Sequence, residues 1–102
     1  HVLSLLQSNF RDRMDVGRLT TAAHMSVSAF HRAFKDMTGE SPIQYLKKLR
    51  LNKAKDLMLQ SNMKAGAAAY EVGYESASQF SREFKRYFGA SPAEMIRAAR
   101  AA

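Results

Sequence analysis

The sequence predicts an all-α protein of seven helices, arranged as two similar lobes joined by one long helix. Three observations carry that prediction. Apolar residues recur at the 3.6-residue helical period along most of the chain, and strand-like alternation is scarce. Serine start signals and glycine stop signals bracket the periodic stretches. A block of sequence also returns at an offset of 50 residues. Ser26, Ser28, Phe30, Arg32, Phe34, Lys35, Gly39, Ser41 and Pro42 recur as Ser76, Ser78, Phe80, Arg82, Phe84, Lys85, Gly89, Ser91 and Pro92, nine identities in a window of seventeen. Two copies of such a block make a pair of lobes, since a solenoid needs more repeats to bury a continuous core.

Taken in chain order, Val2, Leu3, Leu6 and Phe10 mark the first helix, which Arg11 and Arg13 close. Leu19, Ala22 and Ala23 mark a short second helix from near Asp15 to about His24. Ser26 is placed to cap the third, which runs to about Thr38 and stops at Gly39. Ser41-Pro42 opens the fourth, with proline at the first helical position, and this long helix runs from Ile43 to about Gln60. Ser61 and Asn62 break it. Ala67 to Val72 form a short fifth helix ending at Gly73, Ser76 caps the sixth, and Gly89 stops it. Ser91-Pro92 starts an alanine-rich seventh. The expected partition is a first lobe over 1–41, a linker helix over 42–61 and a second lobe over 62–102.

Composition narrows the function. The 102 residues are 46% hydrophobic and 25% charged, a globular balance, and 16 Lys and Arg against 9 Asp and Glu give a net charge of +7. That excess favours a polyanionic partner, nucleic acid before an anionic membrane surface. The absence of cysteine removes disulfides, thiolate chemistry and cysteine-ligated zinc together. No apolar run approaches the length of a membrane span, and no signal-peptide pattern is present. The chain opens at His1 directly into a periodic stretch, which reads as a fragment of a longer protein.

Each repeat has the form of a helix-turn-helix unit, in which a short helix braces a second one that enters the major groove. The second helix must be apolar on one side and polar on the other. In the first repeat Phe30, Ala33, Phe34 and Met37 share one stripe, while Ser28, His31, Arg32 and Lys35 share the opposite one. In the second, Phe80, Phe84, Tyr87 and Phe88 are expected inward, and Ser78, Ser81, Arg82 and Lys85 outward. Phe30, Phe34, Phe80 and Phe84 are therefore core. The outward sets suit DNA: arginine for guanine edges, small hydroxyls for close approach, lysine for phosphate. A bland alternative is that these are ordinary solvated faces; their matched placement in two repeats of a strongly basic chain argues against it. The long helix spans roughly 27 Å at ~1.5 Å per residue. With the lobes at its ends, the two groove-entering helices could lie about one DNA turn (~34 Å) apart. A shortfall from the DNA pitch would bend the duplex, at a cost on the order of 1–6 kcal/mol. Lys47, Lys48, Arg50, Lys53 and Lys55 make this helix basic; each serves a phosphate or a solvated face, and Arg50 has a buried structural role as a further alternative.

The segment from Tyr70 to Pro92, YEVGYESASQFSREFKRYFGASP, closely resembles the signature of the AraC/XylS transcription regulators. HMSVSAFHRAFKDMTGESP resembles that family's more variable first unit, and YLKKLRLNKAKDLM its linker helix. The resemblance runs from about Val2 to Arg97. It implies a homeodomain-like, AraC-type domain of seven helices that places two recognition helices in adjacent major-groove segments. It also implies a transcription regulator, an activator, acting on operator or promoter DNA in the cytoplasm, with RNA polymerase as a further partner. A small-molecule effector would act only through a separate N-terminal domain that also dimerises, leaving this fragment monomeric. By position, base contacts are implied for Ser28, His31 and Arg32, and for Ser78, Gln79 and Arg82 with Ser81 close by. Phosphate contacts are assigned to Lys35, Lys85, Arg86, Ser26 and Ser76. Two departures stand out: Ala65 and Ala68 replace branched residues beside Gly66, and Met95-Ile96-Arg97 replaces a Tyr-Arg pair.

Other classes fit less well. His24 and His31 lie seven apart without obvious carboxylate co-ligands, and no phosphate loop, nucleophile elbow or paired-carboxylate motif is present, so no catalytic residue, metal or cofactor is assigned. A helical RNA-binding or protein-interaction module using the same basic face is the alternative. RNA recognition, however, wants exposed aromatics for stacking.

Overall fold

The computed structural model describes residues 24–101. Among them are five helices and no strand: α1 (Val27–Thr38), α2 (Pro42–Gln60), α3 (Ala65–Glu71), α4 (Ala77–Phe88) and α5 (Pro92–Ala101). These are the last five of the seven expected. The two expected earlier lie outside the described residues, save for His24, which adopts a left-handed turn conformation with φ 56°. The chain divides into two compact units between Leu49 and Arg50, so α2 gives its first half to one unit and its second half to the other.

Local chemistry sets the helix ends. The Ala29 N–H donates to Ser26 Oγ at 3.2 Å, and the Gln79 N–H donates to Ser76 Oγ at 3.1 Å. Each serine thus satisfies one of the unpaired donors of a first helical turn. At the other ends Gly39 and Gly89 take φ of 77° and 82°, and their N–H groups return to Lys35 O and Lys85 O. Only glycine enters that region without steric cost. The start of α5 is a reciprocal capping box: the Ser91 N–H donates to Glu94 Oε1 at 2.9 Å, and the Glu94 N–H to Ser91 Oγ at 3.1 Å. The Ser91 backbone N–H foremost, and the Ser91 side chain next, hold the Glu94 carboxyl below its usual range, with nearby Lys85 adding to the effect.

In the first unit the buried Phe30 and Phe34 rings pack 5.8 Å apart, and the Tyr45 ring of α2 meets Phe34 edge-on at 5.5 Å. Leu46 is buried beside them in sequence, and Lys48 pairs with Glu40 at 2.7 Å. In the second unit Phe80, Phe84 and Phe88 follow one another at 5.5 and 4.5 Å, and Tyr74 meets Phe80 edge-on at 5.3 Å. Leu51, Ala54 and Met58 of α2, with Ala68, Ala69 and Val72, complete that core. The small residues of α3 are thus fully buried on one side, and α3 packs against α4, which packs against α5.

Two inward assignments are corrected. Met37 is 55% exposed and Tyr87, its counterpart in the repeat, is 43% exposed. The core stripe follows the i, i+4 row through 30, 34, 38 and 80, 84, 88. Residues 37 and 87 lie about 100° around the helix from the end of that row. In the second unit Phe88 therefore holds the inward place, and in the first Thr38, whose hydroxyl lies 2.8 Å from Phe34 O.

Candidate nucleic-acid interface

The face of α1 opposite its two phenylalanines carries Ser28, His31, Arg32 and Lys35, all exposed. The corresponding face of α4 carries Ser78, Gln79, Ser81, Arg82, Lys85 and Arg86, also all exposed. Ser26 and Ser76 are exposed at the helix starts, where each hydroxyl accepts a backbone N–H and keeps its own hydrogen to donate. Each unit so brings together its own expected set on one helix, an arginine and a lysine three residues apart and a capping serine at the positive end of the helix. On α4, Gln79, Arg82, Glu83 and Arg86 line a shallow concavity of about 430 Å³.

The second unit adds a network that the sequence left without a role. The Tyr74 hydroxyl donates to Glu83 Oε1 at 2.8 Å, and Gln79 Nε2 donates to Glu83 Oε2 at 2.9 Å. Burial, and next the bond to Glu83, push the Tyr74 hydroxyl well above its ordinary pKa. The Arg50 guanidinium lies over the Tyr74 ring, 6.0 Å from its centroid, and half-burial lowers its pKa while Tyr74 and Glu83 oppose that shift. Of the basic residues of α2, Arg50 has its structural role here, Lys48 holds Glu40, and Lys55 stands 5.1 Å over the Phe88 ring. The Gln79–Glu83 spacing of four on a helix was the one signal of this network available in sequence. Among the described residues, no group of three or more His, Asp or Glu side chains could hold a metal ion, and no helix is long and apolar enough to cross a membrane.

Residues 19–98 match the family described as "Helix-turn-helix domain". Over 94 residues, 92% of its length, the chain is 32% identical to the transcriptional activator RhaS of Escherichia coli. Its fold matches a probable AraC family transcriptional regulator from Rhodopseudomonas palustris with a TM-score of 0.84, at 26% identity and covering 96% of this chain and 93% of that one. The chain belongs to the AraC/XylS family. It is a helix-turn-helix, DNA-binding domain of those transcription regulators. A further neighbour is the DNA-binding domain of the global transcriptional factor AdpA, solved in complex with a target DNA. It matches with a TM-score of 0.93 at 31% identity, covering 98% of this chain and 90% of that one. The chain spans about a third (34%) of the length of RhaS.

Proposed function

We propose that this AraC/XylS domain reads duplex DNA by sequence, with α1 and α4 entering adjacent major-groove segments. Ser28, His31 and Arg32 contact bases from α1, and Ser78, Gln79, Ser81 and Arg82 from α4. Lys35, Lys85, Arg86, Ser26 and Ser76 hold phosphates. The observation that carries this reading is the matched pair of amphipathic helices. Each buries two phenylalanines at 1% exposure or less and presents an arginine and a lysine at equivalent exposed positions. The AdpA domain, solved in complex with a target DNA, supports DNA as the ligand, and RhaS supports activation of transcription as the outcome. The setting is then the bacterial cytoplasm, with RNA polymerase as a second partner and any small-molecule effector acting through another domain of the full protein. The domain is monomeric and has no catalytic role. An RNA-binding or protein-interaction module has less support, because Phe30, Phe34, Phe80 and Phe84 are buried and unavailable for stacking bases.

Selection of binding sites from random duplexes tests this directly. The expected result is a bipartite consensus, with half-sites about one helical turn apart. Salt-sensitive binding with no enriched sequence would reject sequence reading and leave only a basic helical surface.

A further inference from the structure

The two repeats differ where the second makes its extra network. Tyr74, Gln79 and Glu83 stand at the places that His24, Ala29 and Ala33 hold in the first repeat, so the first has neither amide nor carboxylate there. In the second unit one carboxylate receives both donors. Glu83 Oε1 is engaged by the Tyr74 hydroxyl and Oε2 by the Gln79 amide, at 2.8 and 2.9 Å. Tyr74 is itself buried and edge-on to Phe80, so the anchor at one end of this chain of bonds belongs to the core. The other end, Gln79, is exposed on the face of α4 that lines the concavity with Arg82 and Arg86.

We propose that Glu83 is a positioning residue that fixes which base Gln79 reads, by holding the Gln79 amide in one orientation. The inference rests on the DNA-reading function proposed above. A carboxylate offers acceptors only, so the amide must turn its nitrogen toward Glu83. One N–H is consumed there. The carbonyl oxygen and the second N–H remain, an acceptor beside a donor. That pair matches the N6 donor and N7 acceptor of adenine in the major groove. Guanine presents two acceptors at the same edge, O6 and N7, and asks for two donors. An amide tied by one N–H cannot supply them, whereas an untethered amide can rotate to present both. Glu83 thereby excludes guanine without touching the DNA, and Tyr74 keeps Glu83 from swinging away.

The test uses the 102-residue chain and a selected duplex in which each base pair is replaced in turn, with affinities read by fluorescence anisotropy. Gln79→Ala locates the base pair that Gln79 reads. Glu83→Ala is expected to reduce adenine-over-guanine discrimination at that same pair by about tenfold, with discrimination elsewhere retained. Tyr74→Phe removes only the hydroxyl, keeps the ring in its core contact, and should shift the ratio in the same direction by a smaller factor. It also serves if Glu83→Ala does not fold. A structural role for Glu83 would weaken binding uniformly without moving the ratio, and that result would overturn the proposal. So would a loss of discrimination at a different base pair, which would make Glu83 itself a base contact. If Gln79→Ala flattens one pair while Glu83→Ala and Tyr74→Phe leave it unchanged, the positioning role fails and the Gln79 contact stands. If Gln79→Ala flattens none, the contact assignment fails and takes the positioning role with it.

Discussion

Arg32 and Arg82 stand at equivalent places in α1 and α4, three residues before Lys35 and Lys85, and all four are exposed. An arginine on a base edge supplies two N–H donors in a fixed fork, which lysine cannot imitate. Arg32→Ala and Arg82→Ala are each expected to weaken specific binding by about 1–3 kcal/mol and to relax specificity at different base pairs. Titration of both variants against the selected duplex and its single-base substitutions checks this; parent-like affinity in both would refute the assignment. Behind them, Phe34 and Phe84 have almost no exposure, and Phe34→Ala or Phe84→Ala should each cost about 3–5 kcal/mol in chemical denaturation. The sequence made these rings and cations legible because each was judged by its place on a single helix. The role of Glu83 is not legible in sequence, for a physical reason. Its meaning depends on Tyr74, nine residues away and brought to it by the turn between α3 and α4, and no periodicity encodes that contact. Met37 and Tyr87 depart from the expected inward stripe because spacings of three and four both satisfy a helical period, while the core here follows the row of four.

At the scale of the element, helix ends were readable almost residue by residue. A cap needs only one side chain and the next three residues, and a stop needs only a glycine free to take positive φ. The start of α3 was less legible. It begins at Ala65, two residues before the expected Ala67, from Lys64, which makes no side-chain cap. Gly66 lies in its first turn, exposed, with nothing within 4 Å of where a Cβ would stand. Gly66→Ala is therefore expected to stabilise the chain by about 0.5–1 kcal/mol, read as a raised denaturation midpoint. No change, or a loss, would mean that the glycine has a contact or backbone requirement of its own. The capping box of α5 makes a prediction of the opposite sign. The Glu94 carboxyl is held below its ordinary range by Ser91, so its folded pKa is lower than its unfolded one. Its contribution is then fully present above the ordinary carboxylate pKa and is lost as pH falls through the lowered one. Glu94→Ala should melt earlier than the parent at neutral pH, and the two melts should converge in acid. A gap independent of pH would show that the ionised carboxylate is not what the box uses.

For the whole molecule, a net charge of +7 favours salt-sensitive binding to DNA, with a slope set by the number of phosphates contacted. Each phosphate neutralised releases condensed counterions, so log K should fall linearly with log salt, with a slope of about −0.9 per contact. Lys85→Ala should reduce that slope by about 1 and weaken all duplexes alike, without changing the preferred sequence. A changed preference with an unchanged slope would move Lys85 from phosphate to base. The repeat also bears on the shape of the site itself. Positions shared by the two copies supply caps, core rings and cations, whereas exposed residues 31 and 36 differ from 81 and 86, and half-buried Ala29 stands where the second copy has exposed Gln79. If α1 and α4 contact DNA as proposed, the two units grip alike and read differently. An operator matched to them has unlike halves and so has a left and a right. A domain seated on such a site can point only one way along the promoter, which gives a regulator a sense of direction without a second copy of the chain.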